Sequence, residues 1–110
     1  MWTQDYDLHS HSTNSDGEHS VDYVAELMAG NAVKYWSLTD HDTIAGWDEA
    51  ELACNEIGIR FIPGVEITCG VEINSETNKS SSWHLLAYFP EGASDEFHSW
   101  ISIRFNTGLA

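Results

Sequence analysis

Apolar residues recur at helical spacing in three stretches of this chain, at positions 21–30, 47–57 and 95–105. Ser20 stands immediately before the first stretch, where its hydroxyl can cap the N-terminus of a helix. Gly58 follows the second stretch and is a typical residue to end a helix. The pattern therefore predicts three helices, separated by segments with a different period.

The segments outside these helices are short, apolar and rich in β-branched or aromatic residues, as strands usually are. They predict strands at positions 6–8, 35–39, 59–62 and 83–89. Positions 65–68 resume the third strand after Pro63-Gly64, and positions 69–73 are either its continuation or the next strand. The serine-rich segment 74–82 predicts a flexible hairpin loop between the last two strands. This order, with helices long enough for crossovers, predicts an α/β fold in a single domain of 110 residues.

Most of the candidate imidazole and carboxylate side chains lie at the ends of predicted strands, where sites of α/β folds collect, and His84 lies within the last strand. In the opening stretch, His9 and His11 share one face of an extended chain, and Asp16 closes a Ser-Asp-Gly turn beside them. Taken alone, this stretch is equally compatible with a polar loop. Convergence with candidates from later strands favours a metal site, and these candidates are His41, Glu66 and His84.

The identity of the ligands narrows the choice of metal. Glu66 lies among apolar residues, where an unpaired charge is costly, so a divalent cation or the neighbouring Arg60 is expected to compensate it. Mixed imidazole and carboxylate ligands favour Zn, Mn or Fe over Ca, with Mg as a further candidate. Six candidate ligands exceed the needs of one ion, and we expect two or three ions.

Three aspartates, Asp7, Asp40 and Asp42, lie beside the histidines in the sequence. We expect them either to orient the imidazole rings from outside the ligand set or to cap and close turns. His19 and His98 lie away from the strand ends, and we expect both on the surface.

Composition excludes several classes of partner. The formal net charge is −14, with only four basic residues against 18 acidic ones, which predicts no binding to long duplex nucleic acid or to an acidic membrane. The two cysteines, Cys54 and Cys69, predict buried thiols rather than a disulfide. There is no basic, apolar leader and no run of about 20 apolar residues, so we expect a cytoplasmic protein.

Five motifs between positions 5 and 89 occur in a recognisable order. They are Asp-Leu-His-Ser-His-Ser, Ser-Asp-Gly, Leu-Thr-Asp-His-Asp-Thr, Pro-Gly-Val-Glu-Ile-Thr and His-Leu-Leu-Ala-Tyr. Together they resemble the N-terminal motifs of the polymerase and histidinol phosphatase (PHP) family, and most closely its small stand-alone phosphoesterases. The resemblance implies the N-terminal βα units of a distorted (βα)7 barrel with a trinuclear metal site.

The same resemblance implies a role for each ligand. The first ion would take His9, His11 and Glu66, and the second would take Asp16 and His41. Glu66 would bridge to a third ion held with His84. A hydroxide held by the metals would attack phosphorus in line, in phosphomonoesters or in nucleotide and oligonucleotide phosphodiesters.

The family resemblance also implies three further ligands from a C-terminal half, a histidine and a late Asp-x-His pair, and nothing after His98 matches them. Two hypotheses follow. The first is a metal-dependent phosphoesterase. The second is a metal-binding but catalytically incomplete half-barrel or subunit, which acts through self-association or a complementing chain.

Overall fold

Parallel strands and crossover helices alternate in the first part of the fold. The computed structural model describes residues 5–74 and 79–105. The elements of the first part are β1 (Tyr6–Asp7), α1 (Val21–Gly30), β2 (Tyr35–Trp36), α2 (Trp47–Ile57) and β3 (Arg60–Phe61). β2 pairs in parallel with β1 on one side and β3 on the other, so α1 and α2 are crossover connections. The predicted α/β fold is confirmed.

The second part is an antiparallel hairpin followed by a helix. It consists of β4 (Gly64–Asn74), β5 (Lys79–Tyr88) and α3 (Asp95–Phe105). An isolated parallel bridge pairs His41 with Glu66, so β4 continues the line of β3 alongside the segment that follows β2. This continuation carries the start of β4 to the strand ends where β1 and β2 finish.

The helix bounds agree with the sequence prediction because the local signals are strong. The Ser20 hydroxyl accepts a hydrogen bond from the backbone N–H of Tyr23 and caps α1. Gly58 ends α2 in the left-handed region at φ +79°, where a residue without Cβ is least strained.

The predicted 74–82 loop is wrong at both of its ends. Asn74 pairs with Lys79, and Ser80, Ser81 and Ser82 pair with Ile73, Glu72 and Val71, so these residues belong to β4 and β5. Serine carries little strand preference, but backbone pairing across a hairpin does not require apolar side chains. The remaining part of the prediction, positions 75–78, lies outside the described residues.

Two apolar clusters hold these elements in place. The first joins α1 and α2 to β2 around Trp36 and Leu38, both fully buried. The second joins α3 to β4 around Ile101 and Val65. Trp47 belongs to the second cluster, and its indole N–H donates to the Gly64 carbonyl over 2.8 Å, which ties α2 to the beginning of β4.

The solvent exposure of the cysteines and of the two remaining histidines tests further sequence predictions. Both cysteines are free thiols, with Cys54 buried and Cys69 half-buried, so the prediction against a disulfide is confirmed. His19 and His98 are exposed, as expected. No helix in the described part of the chain is both long and apolar enough to cross a lipid bilayer.

Candidate metal centre

The six predicted ligands meet at one edge of the parallel sheet. They come from four segments: the loop after β1, the loop after β2, the start of β4 and the second half of β5. Because parallel strands finish at the same edge, the loops that leave them deliver side chains to one place. The predicted ligands are His9, His11 and Asp16 from the first loop, His41 from the second, Glu66 from β4 and His84 from β5.

Glu66 lies at the centre of this group, with only 10% of its side chain exposed. Its Oε1 lies 2.7 Å from His9 Nε2 and 3.3 Å from His11 Nε2. Its Oε2 faces the other side, at 3.6 Å from His41 Nδ1 and 3.4 Å from His84 Nδ1. Each carboxylate oxygen therefore serves a different pair of imidazoles.

Asp16 occupies a second position between two of the same rings. Its Oδ1 lies 3.5 Å from His11 Nδ1 and its Oδ2 lies 3.1 Å from His41 Nε2. The loop that carries it is tightly folded, since a Cβ on Gly17 would lie 2.5 Å from the His11 carbonyl oxygen. Gly17 thus permits the close return of the chain that brings Asp16 back to the strand end.

The ligand atoms form three overlapping groups, and the atoms of each group lie within 4.8 Å of one another. The groups are His9, His11 and Glu66; His11, Asp16 and His41; and His41, Glu66 and His84. They contain the ligand sets implied by the family resemblance, with two additions: His11 also joins the second set, and His41 also joins the third. The part that each residue plays in metal binding stays a prediction.

The donor chemistry fits divalent metal ions. His11 Nδ1 is buried and forms no hydrogen bond with the described residues, although Asp16 Oδ1 lies 3.5 Å away; this is costly for a polar atom unless something else takes its lone pair. Imidazole nitrogens combined with carboxylate oxygens suit Zn, Mn or Fe. Each group brings three candidate donors together, and His11, His41 and Glu66 each belong to two groups. Catalytic metal sites commonly combine three protein ligands with an open position for water or substrate.

Arginine does not compensate the buried charge of Glu66. Among the described residues, the ion pairs of Glu66 all involve histidines, and Arg60 is exposed on β3. The arginine alternative to a metal is therefore not the arrangement that this structure adopts.

The aspartates beside the histidines accept hydrogen bonds from backbone N–H groups and hydroxyls rather than from imidazole rings. Asp40 is buried and accepts hydrogen bonds from Ser12 and Ser15, and Asp42 accepts from Thr68. Asp7 accepts from the backbone N–H of His9 over 3.3 Å. None of these bonds reaches an imidazole nitrogen. Only the Asp7 contact is local, as in a turn, whereas Asp40 and Asp42 bond to segments at least 25 residues away.

Sequence reasoning did not identify the contact that Tyr88 makes near the site. Its hydroxyl donates to the Leu8 carbonyl, joining the end of β5 to the end of β1. Burial, and then the carboxylates of Asp7 and Glu66, raise the pKa of Tyr88. The phenol therefore stays protonated as a donor. No local sequence pattern predicts this hydrogen bond, because Tyr88 and Leu8 lie 80 residues apart.

Comparisons with known proteins agree with this geometry. The PHP domain family model matches residues 7–108. A 5'-3' exoribonuclease of Haemophilus influenzae is 50% identical over 70 residues, which cover 64% of this chain and 26% of that protein. A 3',5'-nucleoside bisphosphate phosphatase of Chromobacterium violaceum is 42% identical over 62 residues, covering 56% of this chain and 22% of that protein.

Solved structures are similar over more of the chain. A protein of Bifidobacterium adolescentis, assigned as a metal-dependent phosphoesterase, has a TM-score of 0.69 at 32% identity. The match covers 89% of this chain and 32% of that one. The chain thus spans about a quarter of the length of the curated relatives that it matches.

Proposed function

Because this chain belongs to the PHP domain family, we propose that it is a metal-dependent phosphoesterase that hydrolyses phosphomonoesters or the phosphodiesters of nucleotides and short oligonucleotides. The observation that carries the proposal is the position of Glu66, whose two oxygens face four histidines at the strand ends. The two curated relatives support this substrate class, since one is an exoribonuclease and the other a nucleoside bisphosphate phosphatase.

Divalent ions bound here would neutralise charge on phosphoryl oxygens and lower the pKa of a coordinated water. The residues that would hold them are His9, His11, Asp16, His41, Glu66 and His84. Zn, Mn and Fe match the donors best, and Mg is a further candidate.

Some of the candidate ligands are shared between two of the three groups. Glu66 lies in the first and third groups and turns one oxygen to each. His41 faces Asp16 with Nε2 and Glu66 with Nδ1, so it would act as a ligand in either the second or the third group. As neutral imidazoles, the histidines can each give one nitrogen lone pair to a cation. Exposure of the Asp16 side chain at 66% leaves the same edge of the sheet open for a phosphate ester to enter.

The phosphate group would meet few protein cations at this site. Among the described side chains, no lysine or arginine ion pair reaches the six ligands: Lys34 pairs with Asp5, and Arg104 lies over the Phe105 ring. Binding of a phosphate ester would therefore depend on the metal ions for its electrostatic attraction.

A second candidate is a metal-binding unit that acts through a partner chain. The observation that favours it is the exposure of Trp83 at 71% and Leu85 at 57%, on the same strand as His84. Two large apolar side chains beside a ligand are what a covering protein surface would bury.

Hydrolysis of a chromogenic phosphomonoester and a chromogenic phosphodiester with added Mn²⁺ or Zn²⁺ tests the first candidate. We expect metal-dependent turnover by the wild type, its loss in His9→Ala and its retention in His98→Ala, a matched change at an exposed histidine. Equal rates in wild type and His9→Ala would exclude the proposal. Tight metal binding without turnover at any metal concentration would support the second candidate instead.

A further inference from the structure

His41 stands between two aspartates that each reach a different part of the site. Asp40 precedes it and contacts the loop after β1, which carries His9, His11 and Asp16. Asp42 follows it and contacts β4, which carries Glu66. The tripeptide is thus bonded on both sides to segments that supply other ligands.

The Asp40 carboxylate is only 2% exposed and has three hydrogen bonds. Its Oδ1 accepts from the Ser12 backbone N–H over 2.6 Å and from the Ser15 hydroxyl over 2.8 Å, and its Oδ2 accepts from the Ser12 hydroxyl over 2.8 Å. These contacts flank Asp16 on the N-terminal side. A buried carboxylate bonded in this way fixes the path of the loop, because moving the loop would leave the charge without partners.

Asp42 fixes the opposite side in a similar manner. Its carboxylate accepts from the Thr68 backbone N–H over 2.6 Å and from the Thr68 hydroxyl over 2.7 Å. Asp42 also donates its own N–H to the Glu66 carbonyl, while Glu66 donates to the Asp40 carbonyl. Its backbone adopts φ +56°, an uncommon conformation outside glycine that aspartate tolerates better than most residues.

Thr68 links this side to the last ligand. It pairs with His84 across the hairpin, so both residues lie on the face of the sheet that carries Glu66. A shift of Thr68 relative to Asp42 would therefore move Glu66 and His84 together against His41.

We propose that Asp40 and Asp42 are positioning residues that set the distances among the three metal groups without contacting a metal. Asp40 holds the second group by fixing the loop of Asp16 against His41. Asp42 holds the third group by fixing Glu66 and His84 against His41, and through Glu66 it also bears on the first group. These two roles rest on the proposed metal-dependent function. They predict that loss of the Asp40 carboxylate and loss of the Asp42 carboxylate weaken the binding of different ions.

A titration of the wild type and the variants with Mn²⁺, read out as bound metal per chain, tests these two roles without any measurement of turnover. Asp40→Asn places an amide against hydroxyl donors, so we expect the affinity of one class of ion to fall about 10- to 100-fold, the range for loss of an outer hydrogen-bond partner. Asp42→Asn is expected to lower the affinity of a different class of ion. In that case the losses of Mn²⁺ affinity in the double variant should equal the sum of the losses in the two single variants. Asp48→Asn, an exposed change in the first turn of α2, is the matched control.

Milder variants keep the test decisive where Asp40→Asn does not fold. Ser15→Ala removes one hydroxyl from Asp40 and should weaken the same class of ion as Asp40→Asn. Thr68→Val should reproduce the loss seen in Asp42→Asn, whereas Thr68→Ser keeps the hydroxyl and should bind Mn²⁺ like the wild type.

The outcomes separate two kinds of failure. A wild-type chain that binds no Mn²⁺ would overturn the proposed function and the inference together. A wild type that binds Mn²⁺, with unchanged titrations in Asp40→Asn and Asp42→Asn or in their milder substitutes, would overturn the inference alone. Losses in Thr68→Ser equal to those in Thr68→Val would also contradict it, since the hydroxyl would then have no part.

Discussion

Glu66 Oε1 lies 2.7 Å from His9 Nε2, which joins a carboxylate on β4 to an imidazole 57 residues earlier in the chain. The contact exists because β4 continues the line of β3 and so reaches the ends of β1 and β2. Around it, three more histidines face the same carboxylate. The alignment of the strands therefore determines that Glu66 and the four histidines lie together.

Replacing Glu66 by glutamine should remove metal from two of the three groups at once. Glutamine keeps the size of the side chain but loses the charge, and its amide nitrogen cannot act as a ligand. We expect Mn²⁺ affinity and phosphodiester hydrolysis to fall by more than the 10- to 100-fold that loss of an outer partner costs. Metal titration and rate measurement check this, with Glu49→Gln on α2 as the exposed control. Two unchanged high-affinity ions in Glu66→Gln would contradict it.

Phosphate binding should require metal. Because no described lysine or arginine side chain pairs with the six ligands, the carboxylates alone would repel an anion. We expect inorganic phosphate to bind at least about tenfold more weakly, or 1.4 kcal/mol, after metal removal by a chelator. Calorimetric titration with phosphate, before and after Mn²⁺ is restored, measures the difference. Equal affinities would show that protein cations supply the attraction.

A methyl group on Gly17 should displace the Asp16 loop. The added Cβ would lie 2.5 Å from the His11 carbonyl oxygen and 2.8 Å from the Ser12 carbonyl carbon, both rigid backbone atoms. We expect Gly17→Ala to destabilise the fold by about 1–3 kcal/mol and to weaken metal binding in the group that contains Asp16. Gly30→Ala is the control, since nothing lies within 4 Å of its Cβ position. Urea unfolding and Mn²⁺ titration compare the two, and wild-type behaviour in both variants would refute the role of Gly17.

The convergence of the six candidate ligands could be predicted from the sequence for a physical reason, while their part in metal binding stays a prediction. Polar residues that directly follow apolar strands must lie at a sheet edge, and His9 and His41 both do so. The helices were equally predictable, since Ser20 and Gly58 act through local hydrogen bonds and local backbone geometry.

Contacts between distant segments could not be predicted in the same way. Asp40 and Ser12 lie 28 residues apart, and Tyr88 and Leu8 lie 80 apart. Which donor a buried carboxylate finds depends on how the loops pack, and no periodicity carries that information. The sequence therefore placed Asp40 beside the histidines correctly but did not show that it binds serines.

Stability at alkaline pH should depend on Cys54. Burial, with a smaller contribution from Glu51, raises the pKa of this thiol from 9.0 to about 11. Below pH 9 the thiol is neutral in both the folded and unfolded chain, and its burial carries no cost linked to pH. Between pH 9 and about 11 the unfolded chain loses this proton first, so the free energy of unfolding falls as pH rises, by up to about 1.4 kcal/mol per pH unit. Urea unfolding at several pH values, for wild type and Cys54→Ala, isolates the effect as the difference between the two curves. Parallel curves across this range would show that the folded thiol ionises as readily as a free one.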